Sequence, residues 1–198
     1  MNRRQLEEKL AALPLLAYGF LEPGELDFTP RVRSVCAGEC SMYGKTWACP
    51  PAVGSLERCR ERCLSYDGCL MLCTAGETAD ITDMAQTLAT REAHEEITEQ
   101  AGRFLREQGA DIFILSSRSC TLCPSCEYEA GRPCRHPDKM HPCVESHGIN
   151  LIPAMERIGL DFSYGGNVVT WVSLIFYNVH IGVRQQNGAL SDERSRPR

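Results

Sequence analysis

The sequence lacks the apolar segments that would place it in or across a membrane. Its longest apolar stretch, 168–179, is interrupted by polar residues and is shorter than the roughly 20 residues that a membrane-spanning helix needs. The N-terminal segment has no continuous apolar core either, because its leucines recur at helical spacing and three charged residues separate Leu6 from Leu10. That spacing predicts an amphipathic helix rather than a secretory signal. We therefore expect a cytoplasmic protein without a membrane partner.

Positive charge and catalytic signature motifs are also scarce. The 21 Lys and Arg residues are outnumbered by 26 Asp and Glu, which gives a formal net charge of −5, and the basic residues are scattered along the chain. This distribution argues against a nucleic-acid partner. The sequence contains no Walker loop, no G-x-G-x-x-G after a strand, no H-E-x-x-H and no G-x-S-x-G, so the enzyme classes that depend on those motifs are not indicated.

Cysteine is abundant instead, with 12 residues in a chain of 198. A chain of this length buries roughly 70% of the surface that its unfolded form exposes, so it does not need disulfides in order to fold. In a reducing compartment, clustered cysteines bind metal more often than they pair with one another. The expected cytoplasmic location therefore favours metal binding over a disulfide framework.

The apolar periodicity predicts an α/β fold with a small open sheet, at least partly parallel, flanked by helices and carrying two cysteine-rich metal-binding loops. Helices are predicted at 3–17, 55–64, 80–108 and 150–159, and strands at 28–35, 68–74, 110–116 and 168–178. The strand–helix–strand order over 68–116 is typical of parallel strands joined by a right-handed crossover. Residues 1–184 are predicted to form one domain, and the polar segment 185–198 to be disordered.

The second cysteine loop has the stronger metal-binding signal. It reads CTLCPSCEYEAGRPCRHP and carries Cys120, Cys123, Cys126 and Cys134 in the spacing C-x2-C-x2-C-x7-C. The spacing of the first three cysteines matches the bacterial-ferredoxin run that binds a 4Fe–4S cluster, although the return to the fourth is longer here. Structural zinc is the alternative, although zinc sites usually use two separate C-x-x-C pairs. Cys134 is the expected fourth ligand because Gly131 and Pro133 shape its turn, and Cys143 is the alternative.

The first cysteine loop reads VCAGECSMYGKTWACPP and has a looser spacing. Cys36, Cys40 and Cys49 follow C-x3-C-x8-C, and Cys59 lies ten residues further on. We expect a second metal site here with Cys59 as its fourth ligand. Cys63 is a substitute for Cys59, and a site without a fourth cysteine is the remaining alternative. Cys69 and Cys73 flank an apolar strand and are expected to belong to the core.

The fourth ligand of the first site separates the functional hypotheses. Four cysteines would close a 4Fe–4S cluster and suit it to electron transfer with a redox partner protein. Three cysteines would leave one iron open to bind a small-molecule substrate, as an enzyme requires. A zinc-stabilised interaction module without redox activity is the third hypothesis.

Basic residues near both loops match the negative charge that thiolate-bound clusters carry. Arg118, Arg132, Arg135 and Lys139 surround the second loop, and Arg31, Arg33 and Lys45 surround the first. Buried negative charge needs such compensation. We expect these cations, as a group, to offset the charge of anionic clusters.

The order of these features resembles an uncharacterised, cysteine-rich prokaryotic family of predicted metal-binding proteins. The resemblance rests on VRSVCAGECSMYGKTWACPP, GADIFILSSRSCTLCPSCEYEAGRPCRHP and VESHGINLIPAMERIGLDF, and it spans roughly residues 28–165. It implies metal binding and indicates no substrate. The ligands that it implies are Cys36, Cys40, Cys49, Cys120, Cys123, Cys126 and Cys134, with Cys59 as an addition.

Overall fold

A computed structural model describes residues 2–160 and 166–179 of the chain. The predicted domain end at 184 and the predicted disordered segment 185–198 lie outside the described residues. The helices are α1 (Arg3–Ala11), α2 (Pro30–Glu39), α3 (Leu56–Leu64), α4 (Met84–Glu107) and α5 (Ile152–Arg157), with 3-10 turns at Pro23–Glu25 and Glu145–His147. The strands are β1 (Ala17–Leu21), β2 (Asp27–Phe28), β3 (Gly68–Glu77), β4 (Ala110–Leu115), β5 (Ile149–Asn150) and β6 (Val168–Val179).

The main sheet has four strands in the order β1-β3-β6-β4, and every neighbouring pair is antiparallel. The prediction of a partly parallel sheet is therefore wrong. Strands β3 and β4 do run in the same direction, as their connection through α4 suggested. However, β6 lies between them, and Ile175 faces both Leu70 and Ile114 in the register. Helix α4 thus connects two strands that are not neighbours in the sheet, and β3 and β4 form no parallel pair.

The predicted strand at 28–35 is also wrong, because most of it belongs to α2. The Thr29 hydroxyl accepts a hydrogen bond from the Arg31 amide at 3.3 Å, and Pro30 occupies the first helical position. Thr followed by Pro is a recognised helix start. The leading helix is shorter than predicted, since it ends at Ala11 and β1 follows it. The helices predicted at 55–64, 80–108 and 150–159 and the remaining three strands are confirmed, with shifted ends.

The sheet is buried on both faces. Alternate residues of β3 point to opposite sides, so Cys69, Met71 and Cys73 pack in one apolar cluster while Leu70 and Leu72 pack in another. Helices α1 and α4 cover the second face. Cys69 and Cys73 are fully buried on the first face as core residues, as expected. Within the described part of the chain, no helix has the length and apolar character needed to cross a membrane.

Candidate metal centres

Four cysteines from three parts of the chain line a cavity of about 380 Å³, which we call the first centre. Cys36 lies in the last turn of α2, and Cys40 is the residue that ends this helix. Cys49 follows in the next loop, and Cys143 comes from the segment before the 3-10 turn at Glu145–His147. The structure therefore brings together the three cysteines of the first loop and adds one that is about a hundred residues away in sequence.

Cys59 does not line this cavity. Its sulfur lies 3.5 Å from the Val53 carbonyl oxygen and 3.7 Å from Nη1 of Arg33. Cys63, one turn further along α3, is fully buried and belongs to the apolar core. The assignment of either residue as a metal ligand stays a prediction.

The second centre is a surface hollow surrounded by the four predicted cysteines of the second loop: Cys120, Cys123, Cys126 and Cys134. Burial raises the pKa of the Cys120 thiol, and the three neighbouring thiols raise it further. His136 also lines the hollow, and its amide lies 3.4 Å from the Cys134 sulfur. Cys143 contributes to the first centre and not to this one.

The thiols surround the two hollows without meeting at a point. Among residues 2–160 and 166–179, no three Cys, His, Asp or Glu side chains are grouped so that they could hold one metal ion. All 12 cysteines are free thiols. A tetrahedral zinc ion needs every sulfur about 2.3 Å from one centre, whereas a cubane gives each thiolate its own iron and so accepts sulfurs that stand further apart. The hollow of the second centre measures only about 20 Å³, and its four cysteines are partly exposed.

Ser119 connects the two centres. Its hydroxyl oxygen lies 3.3 Å from the Cys49 sulfur of the first centre, and its neighbour in the chain is Cys120 of the second. Trp47, two residues before Cys49, lines the second hollow and donates a hydrogen bond from Nε1 to the Arg132 carbonyl at 3.0 Å. The two cysteine loops thus pack directly against each other.

The electrostatics of the first centre stabilise negative charge on one sulfur in particular. The Cys143 thiol donates a hydrogen bond to Cys49, which stabilises the Cys49 thiolate, and the Ser119 and Thr46 hydroxyls stabilise it too. Although burial opposes them, these groups lower the pKa of Cys49 to about 6. The Thr46 hydroxyl is buried and has no other hydrogen-bond partner. By contrast, burial raises the pKa of Cys36, as do the nearby Cys40 thiol and Glu145 carboxyl.

Sequence reasoning missed Arg91 of α4, which holds the segment between the two centres. Its Nη2 atom donates to Ser116 Oγ at 3.2 Å and to the Ser119 carbonyl at 3.3 Å. Its Nε atom lies 3.3 Å from Glu95. Arg91 is only 7% exposed. The signal in the sequence that could have indicated its burial was its position. Arg91 and His94 lie at helical spacing from Ile97, on the buried face of α4.

Several of the expected charge-compensating cations contact the centres or their supporting loops. Arg132 and Arg135 both form ion pairs with the buried Glu127, and Arg135 also lines the second hollow. Arg118 lines the first cavity rather than the second. Arg33 donates to the Ser146 carbonyl at 2.6 Å and the Gly54 carbonyl at 2.8 Å. It therefore fixes two segments that flank the first centre.

Comparison with known protein families matches residues 19–177 to the family described as "Predicted metal-binding protein (DUF2284)". Searches of curated proteins and of solved structures found no match. The matched range covers both centres and all eight of the cysteines predicted as ligands. The chain belongs to this family of predicted metal-binding proteins.

Proposed function

We propose that the protein binds two iron–sulfur clusters, most simply two 4Fe–4S clusters, and transfers single electrons to a redox partner protein in the cytoplasm. Cys36, Cys40 and Cys49 bind the first cluster. Cys120, Cys123, Cys126 and Cys134 bind the second. An iron–sulfur cluster, when bound, exchanges electrons at a potential set by its charge, its hydrogen bonds and its exposure to solvent.

The arrangement of the sulfurs supports clusters over single zinc ions. In both centres the thiols line a hollow, and no three ligands within the described ranges are grouped for one ion. The spacing of the second loop points the same way, because its two consecutive C-x-x-C steps and the returning fourth cysteine can give each sulfur a separate iron. At about 380 Å³, the first cavity lies in the size range of small-molecule sites, roughly 300–1,000 Å³, and has room for a multi-atom group.

The contact of Ser119 with Cys49 is the observation that carries the electron-transfer role. Cys49 and Cys120 belong to different centres, yet a single residue links them. Ser119 contacts the Cys49 sulfur and directly precedes Cys120 in the chain. Two centres so close together allow an electron that enters at one to reach the other within the same chain. All four cysteines of the second centre are partly exposed, whereas three of the four that line the first cavity are buried and only Cys40 is exposed. The second loop is therefore suited to meet a protein partner.

Anaerobic purification followed by measurement of iron and acid-labile sulfide tests the proposal. We expect about eight of each per chain, and a magnetic interaction between the two reduced centres in the electron paramagnetic resonance (EPR) spectrum. Cys126→Ser should remove the second cluster. Cys69→Ser is the control, because Cys69 belongs to the apolar core and lines neither hollow. This variant should retain both clusters. Zinc without sulfide in the wild-type protein would refute the proposal and favour the interaction module.

An enzyme with an open iron at the first centre is the second candidate. The size of the first cavity and the presence of Arg118 in its wall favour it, because a cation there could hold an anionic small molecule. An open-iron cluster loses one iron readily on oxidation, and its spectrum changes when a ligand is added. A spectrum that stays unchanged with added ligand would count against this candidate.

A further inference from the structure

We propose that Cys143 is the fourth ligand of the first centre. This inference rests on the proposed function, because it assigns a ligand to the cluster postulated there. Cys143 lies about ten residues beyond the last cysteine of the second loop, and its sequence position suggests that loop as its site. The fold instead places it in the wall of the first cavity, together with Cys36, Cys40 and Cys49.

The backbone around Cys143 is fixed to the end of β4. The Ser116 amide donates to the Pro142 carbonyl at 2.8 Å, and the Val144 amide donates to the Ser116 carbonyl at 3.1 Å. These two bonds form a short parallel bridge between Ser116 and Cys143. The Ser146 hydroxyl adds a bond to the Cys143 carbonyl at 2.6 Å. Cys143 is therefore held in place before any metal binds, as a ligand needs to be.

The segment 143–148 is also fixed to α2, the helix that carries Cys36. The Thr29 amide donates to the Gly148 carbonyl at 2.7 Å, and the Cys36 sulfur lies 3.7 Å from the Glu145 carbonyl oxygen. Gly148 has φ of +71°, and a Cβ atom there would lie 2.4 Å from Leu56 Cδ1. The same Cβ atom would lie 3.2 Å from the Thr29 carbonyl oxygen next to α2, and the positive φ favours glycine. The two segments thus present Cys36 and Cys143 to the same cavity.

A buried donor beside the first centre has no hydrogen-bond partner of normal geometry. Thr46, three residues before Cys49, is 3% exposed, and its hydroxyl oxygen is buried without such a partner. An unpaired buried hydroxyl is costly unless it bonds to something that enters the site. A thiolate-bound cluster supplies acceptor sulfurs of this kind.

Cys59 has neighbours that compete with a role as ligand. The guanidinium of Arg33 lies beside its sulfur and is itself anchored to the Ser146 and Gly54 carbonyls. Cys59 does not line the first cavity, and its sulfur contacts Arg33 and the Val53 carbonyl instead. Four thiolates from Cys36, Cys40, Cys49 and Cys143 would leave no open iron, so the first centre would transfer electrons rather than bind a substrate.

The test compares Cys143→Ser with Cys59→Ser, since both cysteines are buried and both changes are equally small. We expect Cys143→Ser to lose between one and four irons per chain from the first centre and to show a three-iron EPR signal after oxidation. Cys59→Ser should keep the wild-type iron content. The second centre, which neither change touches, provides the internal control in both variants.

The reverse pattern, with iron lost from Cys59→Ser and retained by Cys143→Ser, would overturn the inference and leave the proposed function intact. Wild-type protein without sulfide would overturn the proposed function itself. If Cys143→Ser does not fold, two other measurements decide: the iron content of Cys59→Ser and the response of the wild-type spectrum to added cyanide. Full iron in Cys59→Ser and an unchanged wild-type spectrum support Cys143 as the ligand. Iron lost from Cys59→Ser, or a wild-type spectrum that changes with cyanide, contradicts it.

Discussion

Replacement of Arg91 by methionine tests whether this buried cation holds the segment between the two centres. Methionine keeps most of the apolar stem and removes the guanidinium. The change deletes the bonds to Ser116 at 3.2 Å and to Ser119 at 3.3 Å, and the ion pair with Glu95 at 3.3 Å. Glu95 stays hydrogen-bonded to the Ser116 hydroxyl at 2.6 Å, so the variant does not leave an isolated buried charge.

The magnitude follows from these contacts. All three are longer than the usual 2.9–3.0 Å of an N–H···O bond, as are the hydrogen bonds to Ser117 and Thr121 at 3.4 Å that the change also removes. Each is therefore worth less than about 1 kcal/mol in net terms. The Ser119 carbonyl loses a buried donor, which adds to the cost. We expect a decrease of about 2–3 kcal/mol in the free energy of unfolding. For a chain of this size, that corresponds to a decrease in Tm of roughly 6 °C.

Anaerobic urea titrations followed by circular dichroism measure this difference directly. Arg103→Met is the matched control, because Arg103 lies on the same helix and is exposed. It should change stability by less than about 0.5 kcal/mol. Equal stability of the two variants would refute the role assigned to Arg91. A large loss in Arg91→Met with both clusters and their magnetic interaction unchanged would show that Arg91 stabilises the fold without positioning the segment.

Three further changes test other parts of the structure. Burial lowers the pKa of His94 from 6.5 to about 4; the folded state then binds fewer protons than the unfolded state, and stability is lost as pH falls from 6.5 towards 4. Urea titrations should therefore show that wild-type protein loses about 2 kcal/mol more than His94→Gln between pH 7 and pH 5, and parallel pH profiles would contradict this. Ser119→Ala removes the hydroxyl that contacts the Cys49 sulfur and stabilises its thiolate, so voltammetry should show a lower potential for the first centre, whereas Ser65→Ala, at an exposed serine that lines neither hollow, should leave it unchanged. Arg135→Ala removes positive charge beside the second hollow and should lower the potential of the second centre alone; an unchanged voltammogram would argue against charge compensation by this residue.

Local patterns in the sequence predict local structure well here. Ser55 caps α3 as expected, since its side chain accepts a hydrogen bond from the Arg58 amide. The apolar period of α4 is confirmed, although the helix begins at Met84 after the Asp83 cap rather than at 80. The error at 28–35 arose from Val32 and Val35, which favour a strand. The Thr29-Pro30 start outweighed them, and Val35 is half exposed on α2.

Pairings between distant segments could not be predicted in the same way. Nothing local in β3 or β4 indicates that β6 will lie between them, because strand order depends on contacts across about a hundred residues. Cys143 shows the same limit. Its neighbours in sequence suggest the second loop, and only the bridge to Ser116 and the packing of the segment 143–148 on α2 bring it to the first cavity. The spacing of Cys120, Cys123, Cys126 and Cys134 was sufficient to predict their grouping because that grouping is local.

The central position of β6 bears on the order of events during synthesis. Strands β3 and β4 have no partner on their facing edges until 168–179 leave the ribosome, and both cysteine loops precede that segment. The nascent chain therefore displays its thiols on an incomplete scaffold. If the proposed clusters are bound, the factors that deliver iron and sulfide meet an open polypeptide when they act during translation, and a closed, preformed receptor when they act afterwards.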